Sequence, residues 1–295
     1  MQYDLPVWRP PSEARSFILQ VTLGCSHNRC TFCHMYLGKR FRVRPLADIA
    51  RDVKDMARRA PDVRRVFLAD GDPLAAGAGF ICQVAGLVRE AFPRLERLSA
   101  YCAPQNLLRK RPEALRAIRE AGVSLLYFGV ETGDPETLAA VDKGVTADEL
   151  VAAADRAHAA GFELSCTVLL GLAGPAASQR HAAATAAVIS RIDPAFVGAL
   201  SIMVPEQDQV EYPLRRGVET APWLAMQPME LVRELRTLVA GLECTRAMFR
   251  SNHASNYLPL GGTLPGDRPK MLAVLDRVIA AGREDVLRPE WMRGL

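Results

Sequence analysis

Strand-like and helix-like segments alternate along this chain, and that alternation limits the folds open to it. Apolar strand candidates are separated by amphipathic runs, with no linker or low-complexity segment between them. This alternation favours a parallel sheet covered by helices, because parallel strands need a long crossover between them. The strand candidates begin near Phe17, Val66, Leu98, Val123, Leu164 and Phe196. The sequence therefore predicts an α/β fold.

Several short patterns indicate where the helices begin and end. Apolar residues in the segment 46–60 follow helical spacing closely. Thr146 and Glu149 have the spacing of a capping box, which predicts a helix that starts directly after Thr146. Gly122 and Gly161 each separate a predicted helix from a predicted strand. A glycine in that position commonly adopts a left-handed conformation and ends the helix.

Six strand–helix units cover about residues 14–204, which suits a partial or full barrel. Residues 1–13 would then form an N-terminal arm. The remaining segment, 205–295, is predicted to extend the barrel or to cover its open side. Its predicted elements are a helix near 228–242, a strand near 247–250 and a helix near 269–281.

Composition and charge limit the cellular compartment and the partners expected for this chain. The chain is 49% apolar and 24% charged, it has no apolar run long enough to span a bilayer, and its first residues do not resemble a signal peptide. With seven cysteines kept as thiols, we expect a cytoplasmic protein that binds no membrane. The net charge of +4 allows anionic substrates or RNA without requiring either. The basic run 39–44 could receive carboxylates or phosphates, although such runs are more often solvated.

Three cysteines lie close together directly after the first strand candidate. Cys25, Cys30 and Cys33 have the spacing C-x4-C-x2-C, and three thiolates can hold a four-iron cluster with one iron left open to a small molecule. Plant-type 2Fe–2S ferredoxins share this spacing but add a fourth cysteine, and a zinc site could recruit His27 or His34. The three thiols could also be unrelated. We favour the four-iron cluster because the next cysteine along the chain lies in an apolar run typical of a buried thiol. The remaining cysteines are Cys82, Cys102, Cys166 and Cys244. Of these, only Cys102, at the end of the third strand candidate, is a candidate for a functional role.

Polar or glycine-rich segments follow four further strand candidates. Ligands of parallel α/β folds bind at the carboxyl ends of the strands, so these segments predict one shared ligand site. The alternative is that Gly, Asp and Pro collect in ordinary turns. The segments are 70–73 (Asp-Gly-Asp-Pro), 104–106 (Pro-Gln-Asn), 131–134 (Glu-Thr-Gly-Asp) and 171–174 (Gly-Leu-Ala-Gly).

These motifs, in this order, resemble those of the radical S-adenosylmethionine (SAM) superfamily over about residues 15–205. The cysteine loop resembles the family's cluster loop, with an aromatic residue before the last cysteine and one residue more than the usual C-x3-C-x2-C. The segment 70–73 resembles the Gly-Gly-Glu-Pro motif, whose backbone receives the SAM amino group. The segment 128–134, followed by Lys143 and Gly144, resembles the fourth-strand motif of the branch that contains oxygen-independent coproporphyrinogen oxidase and the methylthiotransferases.

The resemblance implies a fold, two cofactors and a set of contacts. The fold is a partial (β/α)6 barrel, and the cofactors are a 4Fe–4S cluster and SAM. At residues 204–208 the chain departs from the Pro-Gly-Thr turn of that branch. The implied cluster ligands are Cys25, Cys30 and Cys33, and the implied SAM contacts are Phe32, Gly71, Asp72, Gln105, Glu131, Gly171 and Gly174.

The resemblance also implies an activity. In this family the cluster transfers one electron to SAM, which yields methionine and a 5′-deoxyadenosyl radical that abstracts hydrogen from a substrate. We therefore expect a radical SAM enzyme with a small or medium organic substrate and an electron donor such as flavodoxin or ferredoxin. One alternative is a radical SAM enzyme that modifies RNA. Another is an iron–sulfur or zinc protein without catalysis, and the chain also resembles a subgroup of short radical SAM proteins to which we assign no activity.

A polar stretch near the C-terminus is expected to face the substrate. Arg250, Asn252 and His253 follow a short apolar strand candidate. If that strand continues the barrel, its carboxyl end opens on the same mouth as the cysteine loop. Arg250 could hold an anionic group, and His253 could transfer a proton near neutral pH. The alternative is a turn in which Asn and Ser side chains bond their own backbone.

Anaerobic reconstitution is expected to load about four irons and four sulfides per chain, with broad absorption at about 400 nm that is lost in air. Replacement of Cys25, Cys30 or Cys33 by Ala should abolish the cluster, because each would supply one thiolate. Cys82→Ala and Cys244→Ala are matched controls that should keep it. Iron and sulfide analysis measures the outcome, and stoichiometric zinc without iron would contradict the assignment.

Overall fold

A computed structural model describes residues 3–203 and 224–294 of the chain. Short 3-10 turns aside, its helices are α1 (Leu46–Arg59), α2 (Ala78–Ala91), α3 (Pro104–Arg109), α4 (Pro112–Glu120), α5 (Pro135–Ala140), α6 (Ala147–Ala159), α7 (Gly174–Ile192), α8 (Pro228–Gly241) and α9 (Arg268–Ala281). Its strands are β1 (Phe17–Gln20), β2 (Thr22–Leu23), β3 (Arg42–Val43), β4 (Arg65–Ala69), β5 (Arg97–Cys102), β6 (Val123–Glu131), β7 (Glu163–Leu170), β8 (Phe196–Ser201), β9 (Met248–Arg250) and β10 (Gly261–Thr263).

The chain forms two compact units, and the first contains the described residues 3–28, 33–128 and 152–164. In this unit β1, β4, β5 and the first part of β6 lie side by side in that order, and each pair is parallel. Helices α1 and α2 bury apolar residues such as Ile49 and Val84. Because the strands are parallel, their carboxyl ends lie at one edge of the sheet.

The second unit contains the described residues 29–32, 129–151, 165–203 and 224–294. Here β7, β8 and β9 are parallel, and β10 returns antiparallel to β9. Helices α7 and α8 supply buried residues such as Ile189 and Leu235. The segment after β8 therefore adds one parallel and one antiparallel strand.

The α/β class and the partial barrel are confirmed, since the sheet is mostly parallel and is not closed. The six predicted strand starts fall within one residue of the observed ones. The capping box is also present, because the Thr146 N–H donates to Glu149 Oε2 at 2.7 Å and the Glu149 N–H donates to Thr146 Oγ1 at 3.2 Å. Gly122 and Gly161 have φ values of +120° and +87°, so each has the positive φ expected of a terminating glycine.

Some local predictions need correction or addition. The segment 104–106, expected as a strand-end loop, is the first turn of α3. The short elements α5, β2, β3 and β10 were not predicted, because a six-residue helix and strands of two or three residues carry too little periodicity to detect. The departure noted at 204–208 and the proposed boundary between residues 204 and 205 lie outside the described residues. The division into an arm, a core and an extension stays a prediction.

Glu13, in the segment before β1, places a buried carboxylate in the first unit. Glu13 is fully buried and accepts hydrogen bonds from Arg97 at 2.9 Å, Ser99 at 3.0 Å and Tyr127 at 2.6 Å. A buried carboxylate is costly unless donors surround it, and three donors from β5 and β6 meet that condition here.

In the described ranges, no helix combines the length and apolarity that crossing a membrane requires.

Candidate radical SAM active site

The three predicted cluster ligands lie in the loop that joins β2 to β3. These two strands pair antiparallel, with Thr22 opposite Val43, and so close the loop at its base. The side chains of Cys25, Cys30 and Cys33 are half-buried. The first and third cysteines belong to the first unit, and the second cysteine to the second unit.

A buried carboxylate anchors the entrance of this loop. Asp70 follows β4, is fully buried, and accepts the Gly24 N–H at 3.2 Å and the Gln20 side-chain amide at 3.0 Å. Lys39, at the far end of the loop, donates to the same carboxylate at 3.2 Å and to the Pro6 carbonyl at 2.7 Å. The carboxylate therefore joins the loop entrance, the loop exit and the end of β1.

The basic run 39–44 is partly used inside the protein. Lys39 bonds Asp70, as described above, and Arg44 donates to Asp52 at 2.9 Å and to the Gln20 carbonyl at 2.7 Å. Its first and last basic residues therefore have internal partners, and the hypothesis that the run receives a ligand stays a prediction.

The turn after β4 passes unusually close to the cysteine loop. The Gly71 N–H donates to the Gly24 carbonyl at 3.1 Å. A Cβ at position 71 would lie 2.6 Å from the Tyr36 ring and 3.0 Å from the Cys25 Cβ, which only glycine avoids. Burial raises the pKa of Tyr36 well above its usual value, and within the described ranges its hydroxyl has no hydrogen-bond partner. Glycine is thus required where the turn approaches the first cysteine.

Asp72 turns its side chain into the first unit. The carboxylate is fully buried and accepts the hydroxyl of Ser26, the side-chain amide of Asn106 and, at 3.3 Å, the N–H of Ala103. Burial raises the pKa of Asp72 to about 6 against these hydrogen bonds. The neighbouring Gln105 is half-buried in the first turn of α3. Sequence analysis missed Ser26 and Asn106, although both lie in motif segments it had selected.

In the second unit, the aromatic residue of the cysteine loop packs on the glycine-rich segment. Phe32 contacts a buried apolar pair formed by Val141 and Leu172. The neighbouring Thr31 N–H donates to the Val141 carbonyl at 3.0 Å. This part of the loop is therefore fixed against the segments that follow β6 and β7. The predicted SAM contacts Glu131 and Gly171 lie where those two segments begin.

Glu131 ends β6 in an unusual backbone conformation. Its φ is +63°, a left-handed value that is uncommon outside glycine and often marks functional sites. Its carboxylate accepts a hydrogen bond from Lys143 at 3.1 Å, and the two side chains are only 12% and 9% exposed. Both residues belong to the fourth-strand motif. The structure thus adds a partner for Glu131 that the sequence analysis did not assign.

The glycine turn after β7 has left-handed backbone at both predicted contacts. Gly171 and Gly174 have φ values of +81° and +71°. The Gly171 N–H donates at 2.9 Å to the buried carboxylate of Glu234 on α8. Sequence analysis missed Glu234, because a contact across 63 residues leaves no local signal.

The C-terminal candidates lie at the end of β9. Arg250 and Asn252 are exposed, and His253 is half-buried. The His253 Nδ1 lies 2.9 Å from the Ser255 hydroxyl, and burial together with nearby Arg288 lowers the pKa of His253. This contact matches the alternative of a turn held by its own side chains, and the functional role of these residues stays a prediction.

The residues of these segments fit the cofactors that the sequence implies. Three cysteine side chains in one loop supply the sulfur donors that an iron–sulfur cluster needs. Gly71 and Gly171 directly follow β4 and β7, at the carboxyl ends of the strands, where parallel α/β folds bind their ligands. Within residues 3–203 and 224–294, no group of three or more His, Cys, Asp or Glu side chains is arranged to hold a metal ion as the chain stands.

A mostly parallel, open sheet with a three-cysteine loop and glycine turns at its strand ends is the arrangement expected of an iron–sulfur enzyme that uses SAM. The model of the Radical SAM superfamily matches residues 19–184, which is more than half of the chain. This chain therefore belongs to the radical SAM superfamily. Its membership confirms the predicted class of enzyme and its cofactors, a 4Fe–4S cluster and SAM.

The individual proteins that resemble this chain share 28% or less of their aligned residues with it. The heme chaperone HemW of Mycobacterium tuberculosis (strain H37Rv) is 28% identical over 167 residues, which are 55% of this chain and 41% of that protein. The structure is similar to coproporphyrinogen III oxidase (HemN) from Escherichia coli, with a TM-score of 0.57 and 17% identity over 76% of this chain and 51% of that one. Methylornithine synthase (PylB) has a TM-score of 0.53 and 17% identity, covering 77% and 63%.

These comparisons agree with the predicted branch of the superfamily. The match to HemW spans less than half of that protein, and the structural similarities at 17% identity concern the fold. The comparisons therefore support the resemblance to the coproporphyrinogen oxidase branch and leave the substrate of this chain unassigned.

Glu131→Ala is expected to weaken SAM binding about tenfold or more, because it removes the carboxylate that is expected to bind the ribose hydroxyls of SAM. A buried, charge-assisted hydrogen bond of this kind contributes about 1.5–3 kcal/mol. The cluster spectrum should stay unchanged. Glu163→Ala removes an exposed glutamate at the start of β7 and is the matched control. Calorimetry under nitrogen gives the SAM affinity, and an unchanged affinity in Glu131→Ala would contradict the predicted contact between Glu131 and SAM.

Gly71→Ala is expected to lower the iron content after reconstitution, because the added methyl group would collide with Tyr36 and Cys25. Gly77→Ala is the matched control, since a Cβ at position 77 meets nothing within 4 Å and its φ is −59°. Iron analysis and the visible spectrum of both variants measure the effect. Equal iron loading in the two variants would show that the close approach at Gly71 does not matter.

Proposed function

We propose that this radical SAM enzyme abstracts hydrogen from an anionic organic substrate that is held at the end of β9. The proposal assigns the cluster to the cysteine loop and SAM to the strand-end motifs. Its cluster ligands are Cys25, Cys30 and Cys33, its SAM contacts are Phe32, Gly71, Asp72, Gln105, Glu131, Gly171 and Gly174, and its substrate contacts are Arg250, Asn252 and His253.

The cofactors would supply the radical chemistry, and the chain would supply orientation. Gly71 and Asp72 would act through their backbone, since the Asp72 carboxylate already accepts hydrogen bonds from Ser26, Asn106 and Ala103. Glu131 would bind the ribose hydroxyls. Lys143, 3.1 Å from that carboxylate, would hold it in place and offset its burial.

The observation that carries the substrate assignment is the direction of β9. It pairs parallel to β8, with Phe196 opposite Met248, so its carboxyl end lies at the same edge as that of β8. Asn256 reinforces this placement, because its side-chain amide donates to the Ala199 carbonyl of β8 at 2.8 Å. Residues that follow β9 are therefore presented where parallel α/β folds bind ligands.

Charge and exposure favour an anionic group as the part of the substrate that is bound here. Arg250 is exposed, and within the described ranges its guanidinium donates a weak hydrogen bond to the Met248 sulfur at 3.4 Å. Its guanidinium can therefore bind a carboxylate or phosphate through two parallel hydrogen bonds. His253 has a lowered pKa and would be neutral near pH 7, so it can accept a proton from the substrate.

The first test is reductive cleavage of SAM. Reconstituted protein incubated anaerobically with SAM and dithionite is expected to form 5′-deoxyadenosine, and Cys30→Ala protein is expected to form none. Flavodoxin and ferredoxin would then be compared as physiological reductants. Reconstituted protein that forms no 5′-deoxyadenosine under any of these reductants would contradict the proposed reaction.

The second test concerns the substrate. A metabolite extract separated on an anion exchanger is screened for fractions that increase 5′-deoxyadenosine formation, and haemin and tRNA are screened beside it. A retained small-molecule fraction should stimulate the wild-type protein and the surface control His158→Ala, but stimulate Arg250→Ala and His253→Ala at least about tenfold less. Basal SAM cleavage should be equal in all four proteins. Stimulation by tRNA alone would instead favour an enzyme that modifies RNA, and equal stimulation of all variants would contradict the substrate assignment.

A further inference from the structure

A buried carboxylate from the segment after β8 binds the glycine turn that follows β7. Glu234 lies on α8 and is fully buried. Its Oε1 accepts the Gly171 N–H at 2.9 Å and lies 2.9 Å from the Nδ1 of His181, while its Oε2 accepts the Ser178 hydroxyl at 2.8 Å. These donors offset the free-energy cost of burying the carboxylate.

Apolar contacts hold the same turn against α8. Gly171 has a φ of +81°, and a Cβ there would lie 3.0 Å from Leu231 and 3.2 Å from Ile202. Side chains therefore close one side of the turn, and the backbone is fixed by the hydrogen bond to Glu234. The position of the turn thus depends on α8 as well as on β7.

The helix between these elements also supports the turn that follows β6. On α7, Thr185 donates its hydroxyl to the His181 carbonyl at 2.7 Å and accepts the Gly133 N–H at 2.9 Å. Gly133 needs to be glycine, because a Cβ there would collide with the Ala184 carbonyl. One helix is therefore hydrogen-bonded to the β6 turn directly and to the β7 turn through Glu234.

His181 links these two sets of contacts. Its side chain is 2% exposed, and within the described ranges its Nε2 has no hydrogen-bond partner. The bond from Nδ1 to Glu234 therefore sets the orientation of the ring. Loss of the carboxylate would release the ring and the Gly171 N–H together.

We propose that Glu234 is a positioning residue for SAM, which it serves by fixing the Gly171 turn without touching the cofactor. The proposal rests on the proposed function, in which Gly171 contacts SAM. A turn held in its bound conformation before SAM arrives lowers the conformational entropy lost on binding. Glu234 would therefore contribute to SAM affinity by preorganising the site.

The test measures the turn and the affinity separately. Glu234→Gln keeps the shape of the side chain but replaces one acceptor by a donor, and Glu243→Gln removes an exposed glutamate beyond the end of α8 as the matched control. In protein without SAM, amide exchange at Gly171 should be about tenfold faster in Glu234→Gln, while exchange at Gly133 stays unchanged. SAM affinity at a temperature well below unfolding should fall about tenfold, with normal iron content.

Each other result overturns a defined part of the proposal. Unchanged exchange at Gly171, or unchanged SAM affinity beside a wild-type protein that binds SAM, overturns the role of Glu234 alone. A wild-type protein that holds its cluster but does not bind SAM overturns the proposed function as well. If Glu234→Gln does not fold, Glu234→Asp provides the same comparison, because its shorter side chain keeps the charge but moves the acceptor away from Gly171.

Discussion

The parallel hydrogen-bond ladder between β1 and β4 continues beyond the ends of these strands, and the motif turns of the first unit depend on it. The Asp70 N–H donates to the Thr22 carbonyl at 3.0 Å, and the Gly71 N–H donates to the Gly24 carbonyl at 3.1 Å. These bonds carry the turn after β4 alongside the start of the cysteine loop. Because the two segments run so close together, the second needs glycine where it passes Cys25. The loop position therefore follows from strand pairing, and the cysteines contribute chemistry to a loop that is already placed.

Beyond the ends of the strands, buried carboxylates accept hydrogen bonds from backbone N–H groups that no neighbouring strand can pair. A turn cannot satisfy its N–H groups through regular pairing, and a carboxylate can accept several donors at once. Hydrogen bonds to such charged groups contribute about 1.5–3 kcal/mol each, which is enough to hold a turn whose backbone is otherwise unfavourable. The described residues show this arrangement at four strand ends or helix starts. The pairs are Asp70 with the Gly24 N–H, Asp72 with the Ala103 N–H, Asp134 with the Thr137 N–H and Glu234 with the Gly171 N–H.

The sequence predicted features that depend on neighbouring residues and missed those that depend on distant ones. Strand starts and the Thr146 cap follow from apolar spacing and local side-chain chemistry, so they were predictable. The motif turns were located because Gly and Asp mark strand ends. The partners of those turns were not predictable, since Glu234 lies 63 residues from Gly171 and Lys39 lies 31 residues from Asp70. A charged residue on a helix carries no sequence signal that distinguishes a buried anchor from a surface group.

The Asp-Gly-Asp-Pro segment at 70–73 resembles the family's Gly-Gly-Glu-Pro motif but carries a shorter acidic residue. In that motif the backbone is the part that receives the SAM amino group. Here the Asp72 side chain points away from solvent and binds Ser26, Asn106 and Ala103, so it shapes the turn from behind. A shorter acidic residue is compatible with the motif when its partners are close enough to hold the same backbone. In the proposed function the Asp72 side chain therefore shapes the turn through its donors, and Gly71 lets the turn pass close to Tyr36 and Cys25.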